Sequence, residues 1–191
     1  INDKQIINLG SYGFAFTFIA ILGFINSINY IDGIDGLSSS YLILSLMIFI
    51  FLSLLYSGRN FEFFIIYLII SIFIFLIFNL GLFNLPKVFL GDSGSFYLAG
   101  LIASIFIIYS QHPNFSIHPI LIPWCITLSI YDLLFNTLRR SLRLSNPFKA
   151  DNFHLHHRLL RIGFNQNKTL FIIILLQILI SSFGCTIFYF I

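Results

Sequence analysis

Two aspartates, Asp32 and Asp35, stand three residues apart in NYIDGIDGLSSSY, each followed by a glycine. Long uncharged segments flank them on both sides. Carboxylates at the edge of hydrocarbon are costly and are normally matched by a metal ion or a basic group. Asn26 and Asn29 are also three apart, which places them on one side of the preceding helix. The plain alternative is a solvated turn. The ligand spacing and closing glutamate of an EF-hand are absent.

Two further stretches carry chemistry. In PKVFLGDSGSFYLAG, the run Gly91-Asp92-Ser93-Gly94-Ser95 opens a helix. Small residues there expose backbone N–H groups, which favour phosphate. Asp92 could hold a hard cation against that phosphate, because Mg²⁺ prefers oxygen and keeps few protein ligands. Alternatively, Asp92 is simply an N-cap, and Lys87 is either a phosphate contact or a membrane-edge anchor. In NPFKADNFHLHHRLLRIG, His154, His156 and His157 follow Asp151 and precede Arg158. These could bind zinc with Asp151 as fourth ligand. They could instead grip an anion with Arg158 and Arg161, or form a solvated loop. Neighbouring histidines on a helix point in different directions, which suits a polyanion better than tetrahedral chelation. Asp132 and Asn136 lie one turn apart ahead of two arginines. Asp132 is either ion-paired to Arg139 or Arg140, or acts directly.

The elements that position these groups follow from composition. The 191 residues are 58% hydrophobic and 9% charged, with 25 phenylalanines; soluble domains carry about 25% charged residues. The solvent is therefore a lipid bilayer, and the fold class is all-α, a polytopic membrane helix bundle. A span needs about 20 apolar residues. The charge-free intervals give about six spans, near 12–28, 39–56, 63–82, 95–110, 120–138 and 169 to the end. The sequence QHPNFSIHP divides the fourth from the fifth. Arg139, Arg140, Arg143, Lys149, Arg158, Arg161 and Lys168 crowd one loop. The positive-inside rule puts that loop in the cytoplasm. Counting helices back puts the loops bearing Asp92 and the Asp32–Asp35 pair on the same face. The basic residues are not interleaved with an exposed aromatic platform, so no nucleic acid is expected. Cys125 and Cys185 sit in apolar runs without disulfide or metal spacing. The expectation is one membrane domain over residues 1–191. The chain starts with Ile, without a signal peptide, and reads as the C-terminal part of a longer protein.

Taken together, three motifs resemble the polyprenyl-phosphate N-acetylhexosamine-1-phosphate transferases, glycosyltransferase family 4. They are Asn-x-x-Asn-x-x-Asp-Gly-x-Asp-Gly-Leu from Asn26 to Leu37, Phe-Leu-Gly-Asp-Ser-Gly-Ser from Phe89 to Ser95, and His-x-His-His from His154 to His157. YDLLFNTLRR and SNPFKADNFHLHH are similar too. Leu155 interrupts the histidines, which sides with the branch that initiates common antigen and teichoic-acid linkage rather than the lipid I translocase. The family's upstream aspartate-rich segment is not found here, in keeping with a missing N-terminal part. The resemblance implies transfer of a sugar 1-phosphate from a UDP-sugar to polyprenyl phosphate, with UMP released, at the cytoplasmic face of the inner membrane. It implies Mg²⁺, with Mn²⁺ as an acceptable substitute, and it allows a homodimer. By resemblance, Asp92 and Asp32 hold the metal, and Asp32, Asp35, Asp92, His154, His156 and His157 form the catalytic set. Asn26, Asn29, Lys87 and Arg158 contact substrate. Rival readings are a transporter or channel, with acids along an ion path, a zinc-dependent membrane hydrolase, and an inert scaffold.

Overall fold

Helices dominate because the apolar segments must satisfy every backbone polar group internally once surrounded by lipid. The computed structural model describes residues 10–57, 63–111, 117–143 and 153–190. It gives α1 (Tyr12–Ile31), α2 (Leu37–Ser57), α3 (Phe63–Asn79), α4 (Gly91–Gln111), α5 (Ile122–Cys125), α6 (Thr127–Leu142), α7 (Leu155–Arg161) and α8 (Gln166–Phe190). Short 3-10 turns cover Leu82–Asn84 and Pro119–Leu121. Among the described residues there is no strand. The all-helical membrane architecture expected from the charge spacing is what the structure shows.

α2 is the centre. Tyr41, Leu42, Leu46, Phe49 and Leu52 are fully buried, against neighbours from α1, α3, α4, α5 and α8. By contrast α1 turns Phe14, Phe16, Phe18 and Ile19 outward. Such an apolar surface would be costly in water but is at home in lipid tails.

The expected spans need adjustment at three places. α1, α2, α4 and α8 are each long and apolar enough to cross a membrane. α3 ends at Asn79, short of the expected Leu82, and has 17 residues. The expected fifth span is not one helix: α5 and α6 meet at a bend of 77°. Ile126 leaves the helical region there, at φ −132° and ψ 16°. Its cause is local in part. The Thr127 hydroxyl donates to Pro123 O at 2.8 Å, the carbonyl that an unbroken helix would pair with Thr127 N. Beyond the bend, α6 is two-faced. Asp132, Asn136 and Arg140 are buried toward the protein, while Tyr131, Leu134, Phe135, Leu138 and Leu142 face outward. Finally, the polar stretch after α6 contains α7, a helix the span count did not include.

Candidate active site

The Asp-Gly turn is shaped by its glycines in two different ways. Gly36 has φ +78°, a conformation that only glycine adopts without strain. Gly33 matters for space. A Cβ there would lie 2.1 Å from His156 Nε2, so the bare backbone lets the imidazole rest on the turn. The buried Asn79 at the end of α3 ties two loops together. Its Oδ1 accepts from Gly36 N at 2.6 Å, and its Nδ2 donates to Val88 O at 2.8 Å. The acidic turn and the segment leading to Asp92 are thereby held by one amide.

Asp92 lies in the first turn of α4 and not at its N-cap, since the helix begins at Gly91. Its negative charge sits at the positive end of the helix dipole. Asn29 Nδ2 donates to Asp92 Oδ1 at 2.9 Å and to Ser95 Oγ at 3.0 Å. This brings the end of α1 to the start of α4. The other Asp92 carboxylate oxygen takes no hydrogen bond from the described residues. Asp32 accepts from the Ser38 hydroxyl. Burial raises its pKa above the usual carboxylate value; the Ser38 bond opposes this, and the charges of Asp92 and Asp35 add to the rise. Asp35 pairs with Lys87 Nζ at 2.6 Å; an ammonium has three N–H donors, so this pair leaves Lys87 able to contact a phosphate as well. Asn26 does not join this cluster; its amide donates to Leu22 O on its own helix at 2.8 Å.

The histidine side is assembled on α6. Asp132 accepts from His154 Nδ1 at 2.8 Å, from Leu155 N at 3.0 Å and from Asn136 Nδ2 at 3.0 Å. Its partner among the described residues is thus His154, not Arg139 or Arg140. The arginine pairing suggested by spacing along one helix gives way to a contact across the chain. The Tyr30 ring stacks on His154, centroids 4.7 Å apart. His156 is 2% exposed, and its Nε2 is buried without a hydrogen-bond partner. Burial lowers its pKa to about 4, helped by His157 and His154, with Asp132 acting in the opposite sense. It is therefore a neutral imidazole at pH 7. The His157 ring packs on His156 at 4.1 Å. Arg158 lies over the Phe135 ring at 4.7 Å, fastening α7 to α6.

The rings of the His-x-His-His run are held in different settings: one on Asp132, one on Gly33, and His157 against His156. Among the described residues no group of three His, Cys, Asp or Glu side chains is arranged to hold a metal ion. Asp151, the fourth ligand of the zinc reading, lies outside the described residues. For a hard cation the acidic side is the better donor set. Two carboxylates, Asp92 and Asp32, are near enough that the charge of Asp92 adds to the cost of ionising Asp32. A Mg²⁺ ion is ordinarily bound through one or two carboxylates together with substrate phosphates, so these residues fit it.

Three site features were not read from the sequence. They are the Asn79 tie, the Asp132–His154 pair and the seat of His156 on Gly33. A lone asparagine ending an uncharged run was a usable signal for the first, because a buried amide needs partners.

Comparison with known proteins places the sequence in a family. The sequence model of Glycosyl transferase family 4 matches residues 1–110. The chain is 30% identical over 178 residues to the undecaprenyl-phosphate alpha-N-acetylglucosaminyl 1-phosphate transferase of Escherichia coli K12, covering 92% of this chain and 48% of the relative. The protein of the same name in Yersinia pestis is 31% identical over 180 residues, with the same coverage. The probable undecaprenyl-phosphate N-acetylglucosaminyl 1-phosphate transferase of Bacillus subtilis strain 168 is 31% identical over 176 residues, covering 91% and 48%. The chain spans about half the length of these relatives.

Proposed function

The chain belongs to glycosyl transferase family 4, and from that premise we propose that it carries the phosphate-handling part of a transferase. The reaction moves a sugar 1-phosphate from a UDP-sugar to polyprenyl phosphate and releases UMP. N-acetylglucosamine is the sugar, following the names of the relatives. In net terms, a P–O bond to the acceptor phosphate replaces the P–O bond to UMP, which leaves with the bridging oxygen.

The chemical difficulty is charge. Two anions must meet at the membrane surface, and the transferred phosphoryl must be stabilised. Asp92 and Asp32 would hold Mg²⁺, which when bound supplies positive charge to the phosphate oxygens. Asn29 orients Asp92. Asp35 is set by Lys87 and closes the nucleotide side of the turn. Lys87, paired as it is, contributes its charge near the diphosphate. His156, neutral and packed on Gly33, would form part of the wall around sugar and phosphate. His154 is held by Asp132 and lies nearly parallel to His156, with ring centroids 6.2 Å apart. His157 and Arg158 add to the wall around the anion, and Asn26 supports the helix end. The polar face lies in the cytoplasm, at the inner membrane, because the basic residues of α6 and α7 crowd it.

One observation carries this reading: the Asn29–Asp92 bond and the seat of His156 on Gly33 gather three sequence-distant motifs at one end of the bundle. The test is the full-length protein in membranes, given labelled UDP-N-acetylglucosamine and undecaprenyl phosphate. Release of UMP with a labelled diphospho-lipid is expected. If no lipid-linked product formed with any UDP-sugar, the proposal would fail.

A further inference from the structure

The break between α5 and α6 strips backbone groups of their helical partners inside an apolar bundle. Unsatisfied groups of this kind are costly in lipid. Three side chains from distant helices take them up. Leu128 N donates to Gln177 Oε1 at 3.0 Å, and Ser129 N donates to Tyr41 Oη at 3.1 Å. Trp124 O accepts from Gln177 Nε2 at 3.0 Å and from Ser181 Oγ at 2.7 Å. The side chains also bond one another. Tyr41 Oη donates to Gln177 Oε1 at 2.9 Å, and Gln177 Nε2 donates to Ser181 Oγ at 2.9 Å. Gln177 thus uses both amide hydrogens and accepts twice at its oxygen, the full capacity of a carboxamide. Tyr41 and Gln177 are both fully buried.

The α8 side of this arrangement is a stripe. Gln177, Ser181 and Gly184 fall at positions i, i+4 and i+7, one face of the helix. A Cβ at Gly184 would lie 2.0 Å from Trp124 Cδ2, so only a glycine lets the indole lie flat there. In an otherwise apolar helix, that face is matched to the bend.

The bend in turn sets the site. Asp132 follows Ser129 by one helical turn, and it holds both His154 Nδ1 and Leu155 N at the start of α7. Its Cα lies about 6 Å along α6 from Leu128, so a tilt of roughly 10° at the break shifts it by about 1 Å. A displacement of that size is enough to cost about a hundredfold in rate when it misplaces reacting groups.

We infer that Tyr41, Gln177 and Ser181 are positioning residues for the transfer reaction. They lock the tilt and rotation of α6 at its break, and thereby the direction in which His154 is presented. The role in transfer rests on the function proposed above; the locking of α6 does not.

The test uses the full-length protein in native-like membranes, with Gln177→Leu and, as the milder variant, Tyr41→Phe. Turnover is normalised to folded protein by size-exclusion profile. In Gln177→Leu, kcat falls by about tenfold, less than a full 1 Å misplacement would cost, while KM for the UDP-sugar changes little. The fall vanishes in an Asp132→Asn background, because both changes act through His154. Independently of activity, His154, which is 4% exposed, is modified by diethyl pyrocarbonate faster in Gln177→Leu than in wild type, read by mass spectrometry. Should Gln177→Leu misfold, the same signs at smaller amplitude are expected in Tyr41→Phe. Unchanged kcat per folded molecule, an undiminished loss on top of Asp132→Asn, or unchanged protection of His154 would overturn the inference. Absence of turnover by the wild-type protein would sink the transferase reading alone, and the modification rate of His154 would still decide the lock.

Discussion

Asp32, Asp35 and Asp92 stand at helix ends or in the turn between helices, half-buried or exposed, and among the described residues only Asp35 has a cationic partner, Lys87. His154 and His156 are buried, one gripped by Asp132 and ringed by Tyr30, the other pressed on Gly33. The first region keeps negative charge in reserve, at a cost visible in the raised pKa of Asp32. The second region is held by contacts within the chain. A site for two anions needs both: a place where positive charge is wanted, and a wall whose hydrogen-bonding atoms do not have to move.

Breaking the acidic region should have the largest effect. Asp92→Asn, which keeps the size and a bond partner for Asn29, should lower UMP release by roughly 10²–10³-fold with expression intact, and chelation of divalent ions should mimic it in wild type. Near-normal turnover in this variant would remove the metal role. Next comes the imidazole wall. Asp132→Asn should cost about a hundredfold in kcat through misdirection of His154. Combining it with His154→Ala should add almost nothing; a multiplicative loss would mean Asp132 acts on something else. Gly33→Ala tests the seam between the regions. Its methyl group meets His156 Nε2, so a loss of about tenfold is expected, measured beside a thermal unfolding profile that separates displacement of the ring from loss of fold.

A pH experiment sharpens the same contrast. Folded His156 titrates near 4, against 6.5 in an unperturbed histidine. Between those values the unfolded chain binds a proton that the folded chain does not. Stability is therefore full above the upper value and drains as pH falls toward the lower one. His156→Gln should flatten that slope in detergent melts between the two; an identical slope would show that the ring is not held neutral by its surroundings. The smallest effect belongs to Lys87→Gln. The ion pair is half exposed on the lysine side, so stability should change by about 0–1 kcal/mol. A rise in KM for the UDP-sugar with unchanged melting is the expected sign of its charge near the diphosphate; an unchanged KM would remove Lys87 from the substrate.

The helices were legible because charge is so scarce that Asp32, Asp92 and the arginines after α6 mark where lipid ends. The meeting of the motifs at one end of the bundle followed from counting spans. What was not legible depends on partners far away in the chain. Pro119 and Pro123 announce a disturbance, but the groups that make a 77° bend tolerable sit on α2 and α8. Asp132 was read against the arginines on its own helix because local spacing is visible and a histidine 22 residues on is not. Asn79, Tyr41 and Gln177 look like stray polar letters in apolar runs until the fold supplies their second ends.

The enclosure of α2 has a consequence for biogenesis. Its Tyr41 hydroxyl meets Gln177 across 136 residues of chain. At ordinary translation speeds that separation is on the order of ten seconds. During that interval α2 has already left the ribosome, and its hydroxyls have no α8 to meet. The middle of the bundle is thus sealed by a helix made well after it, and anything that delays α8 leaves the inner helix waiting in the bilayer with its polar groups uncovered.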